Sequence, residues 1–185
     1  TGTGKSLIAL MLAIERKKKY PMSKILMLAP TRPLVEQHFQ TFKKILPELF
    51  VETEMFTGSV NADKRKDIFK TAEMIFSTPQ CIANDLDGGL YDLRDVSLLV
   101  IDEAHRCLKN YDYTKVVDFY KRQSERQRIL GLTASPGHEP EKVKEICKHL
   151  DIEEIELRTR DSEDVKQYMQ EREFDKVNVP FPKEF

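Results

Sequence analysis

VSLLVIDEAH, residues 96–105, holds the strand that decides the fold. Before the acids, only Ser97 interrupts its apolar side chains, and the in–out alternation of a half-exposed strand is missing. Such a strand is buried on both faces, as in parallel sheets covered by helices. The chain then turns abruptly to Asp102 and Glu103. In open α/β sheets the carboxyl end of a strand is where ligands sit.

Outward from this strand the pattern repeats. KILMLAP (24–30) and AEMIFST (72–78) are further short apolar runs, and VETEMF (51–56), RILGLTAS (128–135) and IEEIELR (152–158) also read as strands. Segments of helical character lie between and beyond them: SLIALMLAIERKKKY (6–20), PLVEQHFQTFKKIL (33–46), NADKRKDIFK (61–70), PQCIANDL (79–86), EPEKVKEICKHL (139–150) and SEDVKQYM (162–169). The first is apolar nearly all round, which predicts a buried helix. Its basic end, Arg16 to Lys19, reads as a solvated last turn that complements the helix dipole. Strands alternating with helices predict a doubly wound, mainly parallel α/β sheet with helices on both faces.

Composition sets the outer limits. The 185 residues suffice for one domain with a sizeable core, and 40% hydrophobic with 33% charged residues is ordinary globular usage. A net charge of −1 removes any whole-chain basic signature but leaves room for a local phosphate-binding stripe. Cys81, Cys107 and Cys147 are an odd set without C-x-x-C spacing, so they read as buried thiols in a reducing compartment. An intracellular protein is expected: cytoplasmic or nucleoid-associated, or nuclear in a eukaryote. No apolar run approaches the roughly 18 residues of a membrane span, so no membrane partner is expected.

TGTGKS (1–6) supplies a counterpart for the acid pair. The phosphate-loop pattern G-x-x-x-x-G-K-[ST] fits if Gly4 is its second glycine, which places the first just ahead of Thr1. Gly2, Thr3, Gly4, Lys5 and Ser6 then form an ATP-binding loop whose backbone N–H groups turn onto the phosphates at a helix N-terminus. Lys5 would reach the β- and γ-phosphates, and the Ser6 hydroxyl would ligate Mg²⁺. Asp102 would hold the same Mg²⁺ through water, and Glu103 would orient and polarise the attacking water. Taken singly, Gly-Lys-Ser can arise by chance and two acids can merely open a loop. Together, with a helix after Ser6 and an apolar strand before Asp102, they predict an ATP and Mg²⁺ site with Lys5, Asp102 and Glu103 as its catalytic residues.

With these residues in place, the chain resembles the first RecA-like domain, a P-loop NTPase fold, of superfamily 2 helicases and translocases. Their motifs I, II and III correspond to TGTGKS, DEAH (102–105) and TAS (133–135). APTRPLVEQH (29–38), STPQ (77–80), VIDEAHR (100–106), LTASPG (132–137) and RTRDSEDVKQYM (158–169) narrow the resemblance to the Hef-like and Fanconi-anaemia M-type branch. TASPG and the spacing of Asp164, Val165 and Tyr168 are its more specific parts; PTR and DEAH are shared more widely.

The resemblance implies an ATP-dependent DNA helicase or translocase acting on branched or forked DNA in repair or replication-fork processing. It implies DNA-backbone contacts from Thr31 and Arg32, from Thr57 and Gly58, and from Thr78, Pro79 and Gln80. Such contacts carry no base readout and depend strongly on salt. It also implies that His105, Thr133 and Ser135 link the nucleotide site to DNA and to a second RecA-like domain of the same polypeptide. On their own, Thr57-Gly58 also reads as a turn, Pro79 as a first-turn helix residue and His105 as a packed core histidine. His38, His138 and His149 share no ligand spacing and read as structural. Phe39, Phe42, Phe56, Phe69 and Phe76 sit at core positions, so no base-stacking platform is expected.

Residues 1–175 accordingly read as the ATP-binding domain, and 176–185 as an exit linker toward an inserted or second domain. The resemblance places the strand feeding the phosphate loop ahead of Thr1, so the isolated segment is expected to fold poorly and to hydrolyse almost no ATP. Two alternatives stay open. One is a double-stranded RNA translocase of the Dicer or RIG-I-like type, although those usually carry Cys at the place of Ala104. The other is a nucleotide- or DNA-binding scaffold without turnover, against which the intact Lys5, Asp102 and Glu103 argue.

Overall fold

The computed structural model describes residues 4–46, 51–109, 111–135, 139–158 and 162–163. Contacts divide the chain into a body spanning residues 3–155 and a second unit spanning residues 156–185. The expected linker at 176–185 and most of the expected helix at 162–169 lie outside the described residues. So do Thr1, Gly2 and Thr3, Pro136 to His138, and the Asp164, Val165 and Tyr168 positions.

One sheet organises the body. Its strands are β1 (Lys24–Leu28), β2 (Thr53–Phe56), β3 (Met74–Ser77), β4 (Val96–Asp102) and β5 (Ile129–Leu132), in the order β2-β3-β1-β4-β5. Every pairing is parallel, as the two-sided apolar strands require. The helices are α1 (Lys5–Lys19), α2 (Arg32–Ile45), α3 (Ala62–Thr71), α4 (Pro79–Asp87), α5 (Tyr111–Gln123) and α6 (Pro140–Leu150), with a 3₁₀ turn at Ala104–Leu108.

Alternate strand residues feed two separate cores. Ile25, Met27, Met74, Phe76, Leu98 and Val100 pack under α1 and α2, against Ala9, Leu10, Ala13, Val35 and Phe42. Leu26, Leu28, Ile75, Leu99 and Ile101 pack on the opposite face with residues of α3, α4, α5 and α6. Phe42, Phe56, Phe69 and Phe76 are buried and Phe39 packs half-buried at the edge of its core, so the five phenylalanines serve packing.

Three elements differ from the sequence expectation. Helix α1 is buried only along Ala9, Leu10, Ala13 and Arg16, while Leu7, Ile8 and Met11 are more than half exposed. The sheet covers one side of a helix, and the small alanines set the side that approaches closely. The basic end of α1 is also more than solvated charge. Arg16 is buried and its Nε donates to the Ser97 carbonyl at 2.9 Å; Lys17 Nζ reaches the Pro21 and Ser23 carbonyls and Glu73 at 2.7–2.8 Å.

Residues 152–158 form no strand. Ile152 instead closes α6: Asp151 adopts a left-handed φ of 54°, and the Ile152 N–H bonds the Cys147 carbonyl at 2.9 Å, a Schellman ending. Finally, α5 was absent from the sequence expectation, although its buried Tyr113, Val116, Val117 and Tyr120 follow a helical period.

Candidate nucleotide and nucleic-acid site

The strand register brings the expected site residues to one edge. Phe56 pairs with Ser77, Ser77 with Leu28, Leu28 with Ile101, and Ile101 with Gly131, so the five strands end nearly level. Thr57-Gly58, Thr78-Pro79-Gln80 and Thr31-Arg32 follow β2, β3 and β1. Asp102-Glu103-His105 and Thr133-Ser135 belong to the ends of β4 and β5. The nucleic-acid candidates therefore occupy three adjacent strand ends, across roughly 10 Å at ordinary strand spacing. Asp102, Glu103 and the coupling candidates occupy the other two.

Helix α1 begins at the nucleotide half. Gly4 caps it at φ 74°, a left-handed conformation that favours glycine, and its carbonyl accepts the N–H groups of Leu7 and Ile8. Among the described residues, no side chain caps α1 and no acid lies in its first turn. The same holds for α2 and α4. Helix α3, by contrast, is capped by Asn61 with Asp63 in its first turn. Uncapped helix starts without acids keep their N–H dipoles open to anions.

Asp102 ends β4 and is buried, 7% exposed. Its Oδ2 lies 2.7 Å from His38 Nε2, and its carbonyl accepts the Tyr113 hydroxyl at 3.2 Å. Burial alone would push the Asp102 carboxyl up. The His38 hydrogen bond and charge, the Glu103 backbone and the Lys5 ammonium outweigh it and hold the group below its ordinary value. Glu103 stands at φ 51°, ψ 46°, in the left-handed region, at the head of the 3₁₀ turn. His105 Nδ1 lies 2.8 Å from Thr133 Oγ1 and 3.3 Å from Glu103 Oε2, and the Ser135 N–H reaches Thr133 Oγ1 at 3.1 Å. Acid pair, histidine and the Thr133–Ser135 segment thus form one connected group.

Gly131 in β5 leaves room for Ile152 and for Ala104 of the 3₁₀ turn to pack over the strand. A Cβ there would meet Ile152 Cδ1 at 2.7 Å and Ala104 Cβ at 3.3 Å. Among the described residues, no group of three or more His, Cys, Asp or Glu side chains could hold a metal alone. The candidate donors, the Ser6 hydroxyl and the Asp102 carboxylate, are hard oxygens. That set fits Mg²⁺, which is commonly bound by one or two carboxylates with phosphates and waters.

In the other half, Thr31 and Arg32 are exposed at the start of α2, and Gln80 is exposed at the start of α4 behind the buried Pro79. Thr78 is half-buried, and its hydroxyl makes no cap. Thr57 is buried, its hydroxyl 2.8 Å from that of Ser59, which leaves Gly58 and Ser59 at the surface.

Two residues with site contacts carried no signal in the sequence. His38 read as structural yet touches Asp102; its place on the helix after β1, beside β4, was the missing information. Arg65, on an otherwise polar helix, is buried against Asp85 of α4, with its Nε 2.7 Å from Oδ2 and its Nη2 on Oδ1. Its Nη1 reaches the Val60 carbonyl, and the Tyr91 hydroxyl donates to Asp85 Oδ2 at 2.8 Å. This network ties the Thr57–Val60 turn to α4, so two nucleic-acid candidates share one support.

The sequence profile of the DEAD/DEAH box helicases matches residues 1–143. An ATP-dependent DNA helicase, mph1, of Sclerotinia sclerotiorum is 39% identical over 97% of this chain, which spans 14% of it. A Methanocaldococcus jannaschii protein carried under the provisional name of an ATP-dependent RNA helicase is 39% identical over 100% of this chain, which spans 23% of it. The helicase domain of Pyrococcus furiosus Hef superposes with a TM-score of 0.87 at 45% identity, covering 99% of this chain and 38% of that one. The chain thus spans less than a quarter of the two relatives' lengths.

Proposed function

Because the chain belongs to the DEAD/DEAH box helicase family, we propose that it is the N-terminal motor domain of an ATP-dependent DNA helicase or translocase acting on branched or forked DNA. The observation that carries this reading is that the candidate nucleotide residues and the candidate nucleic-acid residues gather at separate stretches of one sheet edge. Lys5 and the N-terminus of α1 hold the phosphates, and Ser6 with Asp102 holds Mg²⁺. When bound, that ion neutralises phosphate charge and orients the terminal phosphoryl group. Glu103 accepts a hydrogen bond from the attacking water and draws off its proton. Thr31, Arg32, Gly58, Thr78 and Gln80 line the phosphodiester backbone, and Thr57 shapes their turn. His105, Thr133 and Ser135 pass the state of the nucleotide to a second RecA-like domain of the same polypeptide, in an intracellular protein.

A second reading, translocation on duplex RNA, is favoured by the name of the M. jannaschii relative. Ala104, where RIG-I-like proteins usually carry Cys, favours DNA. ATP hydrolysis by the intact protein, with forked DNA, linear duplex DNA, single-stranded DNA or duplex RNA, separates the two. Stimulation by forks that is lost in Glu103→Gln supports the DNA motor. Stimulation by RNA alone moves the protein to the second reading. No stimulation by any of the four leaves a scaffold.

A further inference from the structure

Helix α2 crosses the border between the two halves of the site. It starts at Thr31 and Arg32, exposed in the nucleic-acid half, and its next turns pack under the sheet through Val35 and Phe42. Six residues beyond Arg32, about 9 Å along the axis at helical rise, His38 is buried with its ring nitrogen on Asp102. An ionised carboxylate can only accept, so His38 Nε2 carries the proton and donates it into this 2.7 Å bond. Asp102 thereby has one oxygen fixed by a residue that belongs to the other half of the site.

We propose that His38 is a positioning residue: it transmits the seating of nucleic acid on the N-terminus of α2 to the Mg²⁺-holding carboxylate Asp102. The proposal rests on the function proposed above and assigns the connection to one side chain. A helix packed along its length moves as a unit, and a hydrogen bond weakens steeply with distance and angle. A shift of α2 by a fraction of an ångström under phosphate contacts therefore changes how Asp102 is held. The reverse path is obligatory, since coupling between two ligands is reciprocal.

The test measures that coupling in the intact protein, as the ratio of Mg²⁺·AMP-PNP dissociation constants without and with the nucleic acid that stimulates hydrolysis. For the natural protein a ratio in the range of about 5–150 is expected. His38→Leu removes the donor and keeps the bulk; its ratio should fall to within about twofold of one, while nucleic-acid affinity without nucleotide stays within about threefold. His38→Gln carries an amide donor near the Nε2 position and should recover most of the coupling. If His38→Leu does not fold, His38→Asn, whose amide stops short of Asp102, carries the same comparison. An unchanged ratio in His38→Leu, or in His38→Asn where the leucine variant does not fold, overturns the proposal. Equal loss of nucleic-acid affinity also overturns it, because His38 would then only hold α2 in place. A natural protein that responds to no nucleic acid overturns the function proposed above instead.

Discussion

Glu103 holds a backbone conformation that costs an L-residue roughly 1–2 kcal/mol, and it does so between a fully buried strand and a 3₁₀ turn. Glu103→Gly relieves that cost. The variant should melt at a higher temperature than the natural protein while losing hydrolysis; equal or lower thermal stability contradicts the strain argument. Glu103→Gln keeps the shape and removes the proposed base. Hydrolysis should fall by about 10²–10⁴, the usual worth of a positioned base, with nucleotide affinity retained. Gly131 poses the opposite steric problem. Gly131→Ala places a methyl 2.7 Å from Ile152 Cδ1, and overpacking of this kind typically costs about 1–3 kcal/mol, read as a lowered unfolding midpoint. At this scale the sequence was most legible where chemistry is local. Gly4-Lys5-Ser6 and Asp102-Glu103 announce themselves by neighbours along the chain. His38 could not, because its partner lies 64 residues away and only the sheet brings them together.

Among the elements, the Arg65–Asp85–Tyr91 network supports the proposed nucleic-acid half. Removing one member of a buried ion pair typically costs about 3–5 kcal/mol, since the remaining charge stays buried without compensation. Arg65→Ala should therefore destabilise the protein by that order and loosen the Thr57–Val60 turn. Nucleic-acid affinity should fall more than ATP affinity; parallel losses would show that the network serves general stability alone. A second tie joins α1 to the start of β3 through Lys17 and Glu73, 2.7 Å apart. Burial pushes the Glu73 carboxyl up, but the Lys17 hydrogen bond, the Glu52 backbone N–H and the Lys17 and Lys24 charges hold it below its ordinary 4.5. A depressed carboxylate adds stability that is fully present above pH 4.5 and disappears as pH falls through the lower folded value. The stability gap between the natural protein and Glu73→Gln should thus be present at neutral pH and close in acid; a gap that is independent of pH contradicts the pairing. Helical spacing of apolar residues foretold α2, and α3, α4 and α6 were also legible as helices, α3 as a polar one. The apolar pattern overestimated the burial of α1, where apolar residues continue onto a side the sheet does not reach. It also read a strand at Ile152, whose apolar side chain serves the end of α6.

Over the whole molecule, the five strands of the sheet were legible but their order was not. Apolar runs show which segments are buried, and only their pairing shows that β1 lies between β3 and β4. That order creates the two-part edge, and with it a prediction about salt. If the nucleic-acid half binds phosphodiesters alone, affinity should fall linearly in log–log coordinates with salt, and Arg32→Ala should reduce the slope by about 0.7–0.9 while lowering affinity evenly across sequences. A sequence-dependent loss contradicts backbone binding. The central place of β1 also sets a clock. The end of β1 at Leu28 and the start of β3 at Met74 are 46 residues apart, and β4 follows still later. At synthesis rates of about 5–20 residues per second, β1 waits roughly 2–9 s before its first neighbour emerges. During that interval the segment Ile25 to Leu28, wholly shielded once folded, has nothing of its own to pair with. A newborn chain of this kind holds that apolar segment without its strand partners until β3 has left the ribosome.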